Sequence, residues 1–320
     1  MNPARTSVHG ARTGIGRAHA KSILLGEHAV VYGTPAIAVP LHALDLTVRV
    51  TERTDEQLHL RSALFTGSAA DAPQRLHPLV TAIHAALALT TSAPIGLDVE
   101  IDSAIPFERG LGSSAAVAAG IARAIGDLTG TPLDPEAVHD VVMAAETIAH
   151  GRSSGLDGRA VASDVPIRFH GGEVTPVPVG APLTFVLADS GHEGSTAEAV
   201  GAVRELREAF PSRVDGIIGR LGGIVEESRA HFAHGDVAAL GALMDEAHTL
   251  LTELEVSDAT LDRLVGAARE AGALGAKLTG GGRGGCVLAL APDAARAADL
   301  ETMLRDAGAT RTWQTTVETA

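Results

Sequence analysis

Apolar positions along the chain change period several times, and each change marks an element. Over residues 95–101 they alternate (Ile95, Leu97, Val99, Ile101), the period of a strand with one buried face. Residues 20–39 are mostly apolar, with β-branched stretches interrupted at Gly26-Glu27-His28 and at Gly33-Thr34-Pro35. That pattern predicts two short strands around a compact turn. Residues 44–50 and 57–61 read as further strands separated by a charged turn. Helical spacing takes over across 76–89, and an alanine-rich helix runs to about Leu128. Asp134 is placed to cap a helix with Pro135 in its first position, ending near Ala149. Helical character resumes after Ser154, and 166–186 is broken by proline and glycine into short β-like runs. The remainder is mainly helical (195–209, 214–234, 237–254, 260–271), with strand-like segments at 276–278 and 286–290. A last helix and a strand near 311–317 close the chain. Strands and helices mix without regular βαβ alternation, so the expected class is α+β. The proline- and glycine-rich stretch sets a lobe boundary, giving 1–180 and 181–320. Gly10, Gly14 and Gly16 precede a strand where a dinucleotide fingerprint would follow one, and they read as a flexible lead-in.

Composition narrows the partners. A formal charge of −14 argues against nucleic acid or an anionic membrane surface. No apolar run approaches the ~20 residues of a membrane span. The lone cysteine, Cys286, excludes an intrachain disulfide and fits a reducing cytosol. Aromatic residues make up 2% of the chain, so a base pocket would be mostly aliphatic. Against twenty-three arginines there are two lysines, Lys21 and Lys277. Lysine retained under that bias points to positions where arginine's shape and hydration do not serve.

The strongest chemical signal is residues 106–116 (PFERGLGSSAA). Two glycines and two serines stand directly before a helix start, which carries unpaired N–H groups and the positive end of the helix dipole. Glycine lets that backbone approach a ligand without an intervening Cβ. Such a junction holds an anion, most often a phosphate. The plain alternative is a tight strand-to-helix turn. No lysine follows the second glycine, so the run is not a P-loop.

Other clusters carry paired readings. Lys21 in an apolar strand is costly without an anion; it either meets a carboxylate or phosphate, or snorkels at an edge. Glu27 and His28 sit in the turn that follows. Glu146, in an apolar helix, and Asp157, in a glycine-rich turn, suit a metal ligand and a proton acceptor, although each alone is more often structural. Five glycines among 280–285 imply close packing on a ligand or on another loop. His231 and His234 fit no zinc pattern and read as surface residues.

Together these pieces resemble the GHMP small-molecule kinases, named for galactokinase, homoserine kinase, mevalonate kinase and phosphomevalonate kinase. Three motifs agree in order over nearly the whole chain: 21–33, 106–116 and 277–286. Within the superfamily the resemblance is greatest to the mevalonate kinase branch. Residues 150–157 resemble its H-G-x-P-S-G-x-D segment, 189–191 with 194–196 its substrate loop, and 256–285 its third-motif region.

The resemblance implies a two-lobed α+β fold. The N-terminal lobe would be like ribosomal protein S5 domain 2 and the C-terminal lobe ferredoxin-like, with the active site between lobes. It implies ATP and Mg²⁺ as cofactors, and transfer of phosphate to the C5 hydroxyl of mevalonate. Asp157 would be the base and Lys21 its partner. Ser114 and Glu146 would ligate Mg²⁺. Pro106, Arg109, Gly110, Leu111, Gly112, Ser113, Ser114 and Ala115 would line the ATP phosphates. Glu27, His28 and Thr196 would lie near the substrate with Lys21 and Asp157. Thr279, Gly280, Gly281 and Gly282 would form the third-motif loop.

Some positions depart from the family pattern. Ser153 replaces a proline, Gly158 an asparagine, Gly281 an alanine, Arg283 a glycine, and Ala247-His248 an Asn-Gln pair. A kinase for phosphomevalonate or a sugar is the alternative, and a phosphorylated substrate would call for added cations, to which Arg152 or Arg283 would contribute. A ligand-binding regulator without catalysis predicts a damaged site, whereas Lys21, Ser114, Glu146 and Asp157 are all present. The expected setting is cytoplasmic, with a small-molecule substrate, no nucleic-acid or membrane partner, and a homodimer compatible with the sequence.

Overall fold

The computed structural model describes residues 11–150 and 154–319. The sequence readings at Gly10, Arg152 and Ser153 lie outside these residues. In chain order the elements are β1 (Thr13–Leu25), a 3-10 turn (Ala29–Tyr32), β2 (Ala36–Glu52), β3 (Leu58–Arg61), β4 (Thr66–Ser68), α1 (His77–Thr90), β5 (Leu97–Ser103), α2 (Ser113–Thr129), α3 (Pro135–His150) and α4 (Leu156–Val161). Then come β6 (Ile167–His170), β7 (Glu173–Pro176), β8 (Leu183–Asp189), α5 (Thr196–Ala209), α6 (Pro211–His234), α7 (Val237–Glu253), α8 (Ala259–Glu270), β9 (Gly275–Thr279), β10 (Cys286–Leu290), α9 (Ala294–Asp306) and β11 (Arg311–Val317). The mixed, non-alternating order is the expected α+β class.

Helix starts follow local side-chain chemistry. Asp134 Oδ1 accepts from the N–H of Ala137 at 2.8 Å, as its position before Pro135 predicts. Ser195, Asp236, Asp258 and Asp293 cap α5, α7, α8 and α9 in the same way. Each such cap contributes about 1 kcal/mol.

The chain packs as two compact units. One comprises residues 11–18, 46–103 and 117–150; the other comprises 19–45, 104–116 and 154–319. In the first unit, β5 runs antiparallel to the end of β2 (Val50 opposite Val99) and parallel to β3 (Leu60 opposite Val99). Its buried apolar positions include Val48, Val50, Leu97 and Val99 of the strands, Ala82 and Ile83 of α1, Ile121 and Ile125 of α2, and Val141 and Val142 of α3. Gly14 and Gly16 belong to β1, not to a flexible lead-in. A Cβ on Gly14 would lie 2.2 Å from the Ala124 carbonyl oxygen, and one on Gly16 would lie 2.0 Å from that of Gly120. These glycines let the strand rest directly on the backbone of α2.

In the second unit, β8, β9, β10 and β11 form an antiparallel sheet in the order β11-β8-β10-β9. All of β8, β9 and β10 is buried. A second cluster joins Ile23 and Val30 with Ala36 and Ala38 of β2, Leu156 and Ala160 of α4, and Ile167 and Phe169 of β6. The end of the stretch expected to hold two short strands (20–39) and the strand expected at 44–50 are one strand, β2, which passes through Pro40. Pro40 falls between the residues paired with β6 (36–38) and those paired with β5 (46–52), so its missing N–H removes no bond to either strand. Among the described residues no helix is long and apolar enough to cross a membrane.

Candidate active site

The residues described here belong to the second unit, except Glu146. Lys21, near the end of β1, has a side chain only 3% exposed, and its Nζ lies 2.9 Å from Asp157 Oδ1. A desolvated ammonium requires an anion, and this pair supplies it; the edge-snorkelling reading is thereby excluded. Asp157 is the second residue of α4, which starts after Gly155 in the left-handed conformation (φ 84°). The loop before α2 closes over the same lysine. The N–H of Lys21 donates to the Leu111 carbonyl at 3.0 Å. Gly112 has φ +72°, and a Cβ there would come within 2.9 Å of both Cγ and Cε of Lys21. Gly112 therefore makes room for the Lys21 stem as well as turning the chain.

Residues 110–114 present a helix start as the sequence predicts. Gly110 and Gly112 are both left-handed, α2 begins at Ser113, and Ser113 and Ser114 are half-buried. Leu111 and Ala115 are buried beneath it. Arg109 does not project freely: its Nε donates to Asp189 Oδ1 at 2.9 Å, and the same oxygen accepts from the N–H of Gly191 at 2.8 Å. That bond ties the loop to the end of β8.

The glycine loop at 280–285 packs on protein. A Cβ on Gly280 would lie 2.7 Å from Cα of Gly110, and one on Gly282 would lie 2.0 Å from the Val256 carbonyl oxygen. Of the two readings open from sequence, contact with other loops accounts for these positions. Thr279, just before the loop, is buried and shares a 2.8 Å hydroxyl contact with Ser22. Arg283 is exposed, and its Nε donates to the Glu255 carbonyl at 3.1 Å. His248, where the family has Asn-Gln, is buried beside β9; its Nδ1 accepts from the N–H of Leu278 at 3.4 Å.

The turn after β1 holds a feature the sequence did not disclose. Glu27 and Lys277, 250 positions apart, form an ion pair with neither side chain exposed. Lys277 also donates to the Leu278 carbonyl at 2.7 Å. Burial pushes the Glu27 carboxyl up and the Lys277 ammonium down, each opposed by its partner. The scarcity of lysine was the one signal that singled out Lys277. Its neighbour His28 is buried, with φ 60°, and its Nε2 is 2.9 Å from the Gly281 carbonyl. A carbonyl only accepts, so Nε2 carries the hydrogen and Nδ1 the lone pair. Burial holds this imidazole neutral, with its pKa lowered to about 4. Among the described residues, neither Glu27 Oε2 nor His28 Nδ1, both buried acceptors, has a hydrogen-bond partner. Thr196, the exposed first residue of α5, has its Cα beside Gly281. Pro106 is half-buried at the start of the loop. Glu146 is 4% exposed within α3 of the first unit.

A carboxylate fixed by an ammonium, a glycine-shaped helix start next to it, and two buried acceptors suit transfer of a phosphoryl group to an alcohol. The family model described as the GHMP kinases N terminal domain matches residues 79–167, and the GHMP kinases C terminal model matches 228–310. The chain belongs to the GHMP kinase family. Within it, the chain is similar to the mevalonate kinase of Thermococcus sibiricus, 37% identical over 314 residues that cover 91% of this chain and 92% of that protein. Among solved structures, mevalonate kinase from methicillin-resistant Staphylococcus aureus is 31% identical with a TM-score of 0.72, covering 95% of this chain and 98% of that one. L. major mevalonate kinase in complex with R-mevalonate is 27% identical with a TM-score of 0.82, covering 100% and 99%.

Proposed function

We propose that this chain transfers the γ-phosphoryl group of ATP to the C5 hydroxyl of (R)-mevalonate, giving 5-phosphomevalonate. The observation that carries the reading is the Lys21–Asp157 pair beside the Gly112–Ser113 helix start. Asp157 accepts the hydroxyl proton. Lys21 holds that carboxylate in place, and its ammonium favours negative charge on the attacking oxygen. The N–H groups of residues 110–114 receive the phosphates of ATP, in a loop kept in position by Arg109 and Asp189. Alignment plus charge stabilisation is what phosphoryl transfer chiefly requires. Glu27 Oε2 and His28 Nδ1 accept hydrogen bonds from the substrate, and Thr196 contacts it from α5.

Ser114 and Glu146 are proposed as magnesium ligands. A serine hydroxyl and a buried carboxylate are hard oxygen donors, the kind Mg²⁺ takes together with phosphate oxygens and water. When bound, the ion neutralises charge on the phosphates. The sequence boundary of the family's two lobes is proposed to fall near Gly180, between β7 and β8. The single cysteine, buried in β10, accords with a cytoplasmic setting.

A phosphorylated substrate would need added free cations. Among the described residues of this site the three buried or half-buried cations are paired with carboxylates, Lys21 with Asp157, Lys277 with Glu27 and Arg109 with Asp189, while the exposed Arg283 donates to the Glu255 backbone carbonyl. This favours mevalonate over phosphomevalonate. Comparing kcat/KM for (R)-mevalonate, phosphomevalonate and galactose with Mg²⁺-ATP tests the reading. Mevalonate is expected to be preferred; a higher value for either other alcohol overturns it.

A further inference from the structure

Three side chains away from the Lys21–Asp157 pair converge within the second unit. His19 of β1, His42 of β2 and Asp164, between α4 and β6, each bring a ligand atom within 4.8 Å of the other two. His19 Nε2 lies 3.6 Å from Asp164 Oδ1. The two imidazole rings stand edge to face with centroids 4.6 Å apart. His19 is buried, and its Nδ1 lies 2.8 Å from the Ala20 carbonyl. Since the carbonyl only accepts, Nδ1 carries the hydrogen and Nε2, the nitrogen nearest Asp164, carries the lone pair. Support of one ring nitrogen by a carbonyl is the usual way a metal-binding imidazole is held in its tautomer. His42 Nε2 is 3.2 Å from the Asp164 backbone carbonyl, which keeps the second ring against the same loop.

We propose that His19, His42 and Asp164 form a site for a divalent transition metal of the zinc type. Two imidazoles and one carboxylate are the donors such ions favour, with water completing a tetrahedral set. Mg²⁺ and Ca²⁺ prefer all-oxygen shells and compete poorly there. The placement has a consequence for the kinase site. His19 precedes Lys21 by two residues on the same face of β1, and Asp164 follows the short helix that carries Asp157. A bound ion ties the segment bearing Asp157 to the strand bearing Lys21.

The test uses the untagged full-length chain in millimolar Mg²⁺, with Zn²⁺ binding followed by equilibrium dialysis and Co²⁺ binding by visible absorption. One tightly held ion per chain is expected despite the Mg²⁺. Its affinity should fall at least ~10-fold in His42→Ala and in Asp164→Asn, whose side chains are exposed and whose folding is checked by circular dichroism. Zn²⁺ should raise the Tm of the parent chain and leave that of either variant unchanged. Absence of a Mg²⁺-resistant ion, or equal affinity in parent and both variants, overturns the proposal.

Discussion

Replacing Lys277 by methionine isolates the buried ion pair at the turn that follows β1. Neither Lys277 nor Glu27 is exposed, and among the described residues Glu27 Oε2 already has no hydrogen-bond partner. Lys277→Met therefore leaves a carboxylate in a dry interior without its bonded counter-charge, with only the weaker influence of Lys21 opposing its burial. Removing one member of a buried pair costs about 3–5 kcal/mol, a large share of the ~5–15 kcal/mol that holds a domain together. The loss should depend on pH. Burial raises the Glu27 carboxyl, and removal of Lys277 raises it further. A carboxyl raised in the folded state binds more protons there than when unfolded, so stability falls as pH rises through the folded value. The variant should accordingly lose more at pH 8 than at pH 5. Glu27→Gln combined with Lys277→Met removes both charges and should recover more than half of the loss. Urea unfolding followed by Trp313 reports on the correct unit, since this single tryptophan lies in β11 opposite Leu187 of β8. The reasoning fails if Lys277→Met costs less than about 1 kcal/mol at pH 8, or if the double variant is no more stable than the single.

Gly112→Ala forces a Cβ to within 2.9 Å of the Lys21 side chain at φ +72°. It should cost about 1–2 kcal/mol in stability and about 10–100-fold in kcat by displacing Lys21. Steady-state kinetics beside a melting curve checks this, and unchanged kcat contradicts it. The imidazoles of His28 and His248 are both lowered to about 4 by burial, so the folded state binds fewer protons than the unfolded chain. Stability is full above the unfolded value of ~6.5 and is lost as pH falls towards 4, by about 2 kcal/mol for His28 between pH 7.5 and 5.0. Urea midpoints of the parent and His28→Gln at these two pH values should show the parent losing more; equal losses would contradict the burial argument.

What could be read from the sequence was local. The cap at Asp134 and the alternation at 97–101 depend on near neighbours, and these elements appear where the pattern places them. The run at 106–116 announced a helix start for the same reason. Gly14 and Gly16 were misjudged because their purpose, contact with the backbone of α2, lies more than a hundred positions along the chain. The glycine loop at 280–285 leaves two readings open from sequence, and the packing of Gly280 against Gly110 and of Gly282 against Val256 favours one. Motif order brought Lys21 and Asp157 into one family role, yet the Glu27–Lys277 pair and the His19–His42–Asp164 cluster came from topology alone. β2 absorbed two expected strands because Pro40 sits where neither β5 nor β6 needs its N–H.

In the proposed reaction Asp157, held by Lys21, accepts a proton from mevalonate while the loop at 110–114 holds ATP. The most direct measurement is ADP release by purified protein given ATP, Mg²⁺ and (R)-mevalonate, for the parent chain and for Asp157→Ala, with ATP affinity determined for both. Mevalonate-dependent release is expected from the parent, with near-complete loss in Asp157→Ala and similar ATP affinity in the two. Retained turnover in Asp157→Ala, or no mevalonate-dependent release by the parent, would contradict the proposed reaction.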